Sequence, residues 1–290
     1  MHNADLNKSI ILVTGGTGGI GRAVCRLLAA RGDIVVATGT TGERIRDLDR
    51  ELHQRSPSSL CLQADLGFPE AWSDLVQTVG NRFGRIDVLV NCLGVLIPGS
   101  VTESTPETFE RVIRVNLLSI FHGTRAVLPA MIRLQKGHII NVGSLGGIVP
   151  MPFETLYSAT KFAVRGFSLS LNEELRGTGV CVSLVSPGPV RTRMLDTEAQ
   201  DDRSTVSFLT SPLEPDAVAH EILRTIRHPR PEVVLPSISG NMARALSLFP
   251  GVFSRLHRAA GKRGEKNIRA YRKRYSLTQN DSPGEGEVAR

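Results

Sequence analysis

At 290 residues, with 41% hydrophobic and only 5% aromatic side chains, the chain suits one α/β domain with an aliphatic core plus an extension. Its net charge of +7 suggests nucleic acid only until it is located. Residues 241–275 hold ten Arg and Lys against one acid, Glu265, and the first 240 residues balance.

No run of about 18 apolar residues occurs, so no membrane span is expected, and the polar start is expected to enter a strand without a signal peptide. Cys25, Cys61, Cys92 and Cys181 are scattered with no C-x-x-C pair, and read as small hydrophobes in a reduced compartment. No histidine pair has metal-ligand spacing, and His122 and His220 read as surface or packing residues.

The apolar run Ser9–Thr14 predicts a first strand, the glycine turn Gly15–Gly21 follows, and Arg22–Ala30 has apolar residues at helical spacing. Strand, glycine turn and helix form the context that a dinucleotide needs: glycines let backbone approach a pyrophosphate, and the helix N-terminus offers amides. A second strand, Ile34–Thr38, ends in Gly39, Thr40 and Thr41, with no carboxylate to hold a ribose 2′-hydroxyl. With nothing to repel a 2′-phosphate, NADP(H) is expected to be preferred, with NAD(H) also accepted.

Ser59–Gln63 predicts a third strand, followed by Asp65, and Pro69 opens a helix whose Trp72, Leu75, Val76 and Val79 share one face. Ile86–Val90 is the fourth strand, ending in Asn91-Cys-Leu-Gly94. Ser104 with Glu107 reads as a capping box, with Pro106 in the first turn of a helix that contains Asn116. Gly137–Val142 and Val180–Val185 predict strands five and six, and Ser144 closes the first of these runs. Residues 191–213 read as an irregular lid. A helix over Pro215–Arg227 and a strand over Glu232–Leu235 complete the sheet.

Leu156–Arg176 predicts one helix carrying Tyr157 and Lys161. Four residues apart, phenol and ammonium share a face. A cation beside a phenol, whose pKa is ordinarily about 10, is expected to lower that pKa toward useful proton transfer. Alternating strands and helices predict an α/β fold, a doubly wound parallel sheet with its ligand at the strands' C-terminal ends.

Taken together, these motifs resemble the short-chain dehydrogenase/reductase family over residues 8–236, in its single-domain Rossmann form. Thr14-Gly15-x-x-x-Gly19-Ile20-Gly21 matches the cofactor turn, and Asp65 an adenine contact. Asn91-Cys-Leu-Gly94 stands for the more usual Asn-Asn-Ala-Gly, and Pro187-Gly188-Pro-Val190-Arg-Thr192 matches the segment beside a nicotinamide. The resemblance implies cofactor contacts at Gly15, Thr17, Gly19, Ile20, Gly21, Thr40, Asp65, Leu66, Asn91, Gly94, Tyr157, Lys161, Pro187, Gly188, Val190 and Thr192.

It also implies a catalytic set of Asn116, Ser144, Tyr157 and Lys161. Tyr157 would be the general acid–base, Ser144 the donor to the substrate oxygen, Lys161 the group that lowers the Tyr157 pKa, and Asn116 the holder of a relay water. Val95, Leu96, Leu145, Met151, Phe153, Met194, Leu195 and Phe208 are candidate pocket positions.

The expected activity is hydride transfer between NADP(H) and a secondary alcohol or ketone, with a lipophilic substrate. Alternatives are a 3-oxoacyl-thioester reductase and a non-catalytic NAD(P)-sensing protein. The expected organisation is a catalytic domain over 1–240, a basic amphipathic helical extension over 241–275 and a disordered tail over 276–290. The protein is expected to be a cytoplasmic homodimer or homotetramer, with the extension docking near the lid or meeting an anionic membrane surface.

Overall fold

The computed structural model describes residues 8–277, so the expected tail lies outside the described residues from position 278 onward. Seven strands are β1 (Ile10–Thr14), β2 (Ile34–Gly39), β3 (Leu60–Gln63), β4 (Val88–Asn91), β5 (Gly137–Val142), β6 (Val180–Pro187) and β7 (Glu232–Leu235). They form one parallel sheet in the order β3-β2-β1-β4-β5-β6-β7. The order reverses between β1 and β4, so loops leaving their C-terminal ends diverge and open a crevice there.

The helices are α1 (Gly19–Ala30), α2 (Gly42–His53), α3 (Pro69–Phe83), α4 (Pro106–Ile113), α5 (Ser119–Arg133), α6 (Thr155–Glu174), α7 (Arg193–Glu198), α8 (Pro215–Arg227), α9 (Ser237–Ser247) and α10 (Pro250–Tyr275). They cover both faces of the sheet, which is why its strands are near-continuously aliphatic. On one face Ile11 and Val13 pack with Val24 and Leu28 of α1 and Val218 and Ile222 of α8. On the other, Leu12 and Leu89 pack with Trp72 of α3, Met131 of α5 and Leu171 of α6.

Three local expectations are corrected. The helix at 106 is capped by Thr105, whose hydroxyl accepts from the Thr108 amide, and not by a Ser104–Glu107 box. Pro106 fills the first helical position, which moves the cap one residue on, and Ser104 instead donates to the Ser100 carbonyl.

The helix holding Asn116 is not uniformly α: Arg114–Leu118 form a π segment between α4 and α5. By length and composition the stretch Pro106–Arg133 could cross a membrane, although no unbroken apolar run announces it. Here it packs on α3 and α6. Residues 191–213 are not irregular throughout, since α7 and a 3₁₀ turn at Val206–Phe208 fall inside them.

The extension forms two helices and lies on the lid. Leu195, Ala199 and Phe208 of the lid make one apolar cluster with Ile268 and Tyr271 of α10. Nearer the start of the extension, Ala243 is buried with Ile148, Val149 and Val234, while Met242, Leu248, Phe249, Val252 and Leu256 stay exposed.

Candidate active site

A cavity of about 1160 Å³ opens at the C-terminal ends of the strands, running from the glycine turn to the lid and extension. At its first end the turn is too tightly packed for side chains. Gly15 sits at φ +64°, where a Cβ would stand 2.9 Å from the Cys92 carbonyl oxygen. A Cβ on Gly19 would stand 2.5 Å from the Thr192 methyl. Thr17, Gly18, Gly19 and Ile20 line the cavity where α1 begins, and α1 has no acid in its first turn. A bare, backbone-lined helix N-terminus of this kind suits a dinucleotide pyrophosphate. The side chain of Thr14 fastens the turn to β4, accepting from the Cys92 amide at 3.1 Å.

Ser144, Tyr157 and Lys161 line the middle of the cavity, and Asn116 is buried beside Gly94, outside that lining. Ser144, at the end of β5, caps a 3₁₀ turn over Leu145–Gly147 by accepting from the Gly146 amide at 3.0 Å. The turn is locked to α6: Ser158 donates to the Gly146 carbonyl at 2.6 Å, and a Cβ on Gly147 would stand 2.6 Å from the Lys161 carbonyl oxygen. This close approach brings Ser144 into hydrogen-bonding reach of the buried Tyr157 phenol. Lys161, 3% exposed, donates to the Val142 carbonyl at 3.0 Å.

Asn116, fully buried, accepts from the Val95 amide at 2.8 Å, and donates to the Val95 carbonyl at 2.9 Å and to Thr160 at 3.2 Å. The π segment widens the turn at this point, a form common where a helix serves a site.

The expected effect of Lys161 on Tyr157 is corrected. Burial raises the phenol's pKa, the Ser144 hydrogen bond lowers it, and Glu198 and Glu154 raise it further. Lys161 donates to the Val142 carbonyl and stands over the Tyr157 ring, 5.6 Å from its centroid. Its own pKa is pulled down to about 8 by burial.

Of the expected cofactor contacts, Gly21, Gly94, Pro187, Gly188, Val190 and Thr192 also line the cavity. Gly15, Thr40, Asp65, Leu66 and Asn91 do not. Asp65 accepts from the Gly67 amide at 3.0 Å. Asn91 is the start of a buried chain, donating to Asn141 at 2.9 Å, which donates to Ser168 at 2.9 Å. That chain ties β4 to β5 and to α6, and so holds the Tyr157 helix against the sheet.

Of the pocket positions, Leu145, Met151, Met194 and Leu195 line the cavity, whereas Val95, Leu96, Phe153 and Phe208 do not. Phe153 sits under Arg203 and Phe208 against Tyr271. Sequence reasoning missed Glu154 and Glu198, both of which line the cavity. An acid among the apolar residues from Ile148 to Leu156 was the available signal.

The family model described as short chain dehydrogenase matches residues 9–203. An uncharacterized oxidoreductase of Staphylococcus saprophyticus is 32% identical over 226 residues, 78% of this chain and 94% of the relative. Dehydrogenase/reductase SDR family member 7B of Bos taurus is 29% identical over 275 residues, 91% of this chain and 85% of its own.

Among solved structures, the closed form of serine dehydrogenase complexed with NADP+ superposes with a TM-score of 0.71 at 31% identity, covering 78% of this chain and 94% of that one. A variant actinorhodin polyketide ketoreductase with NADPH gives 0.73 at 30%, covering 79% and 96%.

A parallel sheet with a glycine turn at its crevice and a Ser–Tyr–Lys set beside it defines a nucleotide-dependent oxidoreductase. The chain belongs to the short-chain dehydrogenase/reductase family.

Proposed function

We propose that the protein is an NADP(H)-preferring oxidoreductase that interconverts a lipophilic secondary alcohol and its ketone, with Asn116, Ser144, Tyr157 and Lys161 as its catalytic set. The observation that carries the reading is that Ser144, Tyr157 and Lys161 line the middle of one cavity whose end is the glycine turn. The cofactor would be held by that turn, by Gly94, by Lys161 and by the segment Pro187–Thr192, and its nicotinamide supplies the hydride chemistry.

Tyr157 holds the mobile proton at its phenol oxygen and gives it to the substrate oxygen in reduction, or takes it in oxidation. Ser144 donates to the same substrate oxygen and stabilises the charge that develops there. Asn116, with its side chain held by Val95 and Thr160, would position the water through which Lys161 passes the proton onward. The apolar side chains of Met151, Met194, Leu195, Leu246 and Phe253 in the cavity wall favour a lipophilic substrate. Consumption of NADPH with aliphatic and steroid-like ketones, set beside 3-oxoacyl thioesters, tests the reading. The ketoreductase among the similar structures makes the thioester the second candidate.

Cofactor preference turns on Arg44, which lines the cavity beside the end of β2. Arg44→Ala is expected to lower the NADP-over-NAD ratio of kcat/KM about tenfold, because a guanidinium–phosphate contact is lost. An unchanged ratio removes Arg44 from the 2′-phosphate site. Placing an acid at Gly39 is a poorer probe: a Cβ there would stand 2.6 Å from the Thr17 hydroxyl, so Gly39→Asp disturbs the glycine turn and is expected to weaken both cofactors.

The oligomer we propose is a homodimer through α4, α5 and α6, where Phe109, Leu118 and Phe162 are exposed. The proposed setting is the cytoplasm, with Leu248, Phe249, Val252 and Leu256, flanked by Arg255 and Arg258, offering reversible contact to anionic membranes. Salt-sensitive co-sedimentation with anionic vesicles is the expected result, and its absence at low salt rejects the membrane contact.

A further inference from the structure

Two acids in the cavity wall have no role in the chemistry described so far. Glu154 stands at the entry to α6, three residues before Tyr157, and Glu198 ends α7 in the lid. They are 1% and 7% exposed. Among the described residues, no group makes a well-formed hydrogen bond to either carboxylate oxygen of Glu154 or to Oε2 of Glu198, although the Ser204 hydroxyl stands near Glu154. Buried polar groups almost always find partners, and a carboxylate facing apolar side chains is among the costliest exceptions.

The two acids act on one another and on the site. Burial raises the Glu154 pKa first, then Glu198 and more weakly Asp201 add to it, with the Ser204 hydroxyl opposing. Glu198 is raised by burial and eased by Ser207. Both bear on the Tyr157 phenol, so the pair lies within electrostatic reach of the atom that moves the proton. The nearby guanidinium of Arg203 is committed to Asp201 and Glu103. With burial raising both acids and Glu198 raising Glu154 further, the two groups in this one wall retain a proton near neutral pH, which leaves a single negative charge.

We propose that Glu154 and Glu198 form a subsite for a positively charged amine, and that the substrate is a lipophilic amino alcohol or amino ketone whose ammonium group meets this pair. The proposal rests on the reading of the site as that of an alcohol–ketone oxidoreductase. With the ammonium at the pair, the carbon skeleton lies along Met151 and Leu195, and the reacting oxygen meets Ser144 and Tyr157. An ammonium brings several donors to the carboxylate oxygens and balances the second negative charge that the pair otherwise avoids, which a neutral hydroxyl does not. Its arrival favours the doubly ionised pair, so the shared proton leaves to solvent and no other bond changes. A purely structural role, in which the shared proton latches the lid to α6, gives no preference for amines.

The test is calorimetric titration of the full chain, saturated with NADPH, with hexylamine and with 1-hexanol near neutral pH. Hexylamine is expected to bind at least about tenfold more tightly. Its heat is expected to vary with the ionisation enthalpy of the buffer, as proton release requires. Glu154→Gln and Glu198→Gln are each expected to remove the preference and the proton release, with NADPH affinity as the check that the variants fold. Equal or tighter binding of 1-hexanol to the native protein overturns the proposal, as does a preference that survives in both variants. Failure of the underlying reading is a separate result: no NADPH oxidation with any ketone, whichever probe binds.

Discussion

Tyr157→Phe lowers turnover by about 10²-fold or more while NADP(H) still binds, because the substitution deletes one oxygen at the centre of the cavity and leaves the ring in place. The ring is 8% exposed and packed by its surroundings, so Phe fills the same space. The lost group is the one that Ser144 reaches. Burial keeps the phenol protonated at neutral pH, which suits it to donate in reduction.

Oxidation needs the phenolate, so its rate is expected to rise with pH over the range in which reduction does not. Lys161 is charged below its pKa of about 8 and loses that charge above it, so Lys161→Ala is expected to damage turnover and cofactor binding most clearly below that pH. Wild-type turnover by purified Tyr157→Phe would remove the mechanism.

Removal of residues 241–290 is expected to raise the KM for substrate at least about tenfold while the affinity for NADP(H) holds. The reason lies in where α10 touches the domain. Tyr271 donates to Asp196 at 2.8 Å, Asn267 donates to the Phe208 carbonyl at 2.7 Å, and Thr205 meets His257 at 3.1 Å. Arg272 donates to the Ala199 carbonyl and pairs with Asp202 at 2.9 Å.

All of these partners lie in the lid, whose ends are pinned together where the Arg191 amide donates to the Leu213 carbonyl. Ile268 and Tyr271 each bury a side chain worth roughly 1.5–3 kcal/mol, so without α10 the lid exposes its own apolar face and loosens. Gly264→Val makes the same point with one residue, since a Cβ there would stand 2.5 Å from that of Thr205 and wedge the helix away. Limited proteolysis within 191–213 reads the loosening directly. Wild-type kcat/KM in both variants would show that α10 does not hold the lid.

The sheet, its strand boundaries to within a residue or two, and the glycine turn were legible because each depends on local properties. Apolar β-rich runs of four to eight residues bury themselves on both faces wherever helices alternate with them, and glycine at positive φ is a local steric matter. Ser144, Tyr157 and Lys161 were legible for the same reason, since a strand end and one helical turn place them without reference to the rest.

What each group does to the others was decided only by packing. The phenol answers first to burial and then to Ser144, while Lys161 donates to the Val142 carbonyl and stands over the ring. Asn91, expected as a cofactor contact, is the first link of a chain to Asn141 and on to Ser168, whose steps span 50 and 27 positions of sequence. Glu154 and Glu198, 44 positions apart in sequence, come to line one cavity only when the lid folds over α6.

The basic extension gave no sign in its spacing of which surface it would cover. Its apolar residues are arranged as a helix, but helical periodicity says that a face is buried and not against what. The complementary surface, Leu195, Ala199 and Phe208, is itself made only when residues 191–213 fold. Local propensity and periodicity thus determined the scaffold and the placing of Ser144, Tyr157 and Lys161, to which the family resemblance assigned roles, while charge states, the lid's anchor and the acids in the cavity wall arose from contacts between distant segments, where burial and dielectric are set by the whole.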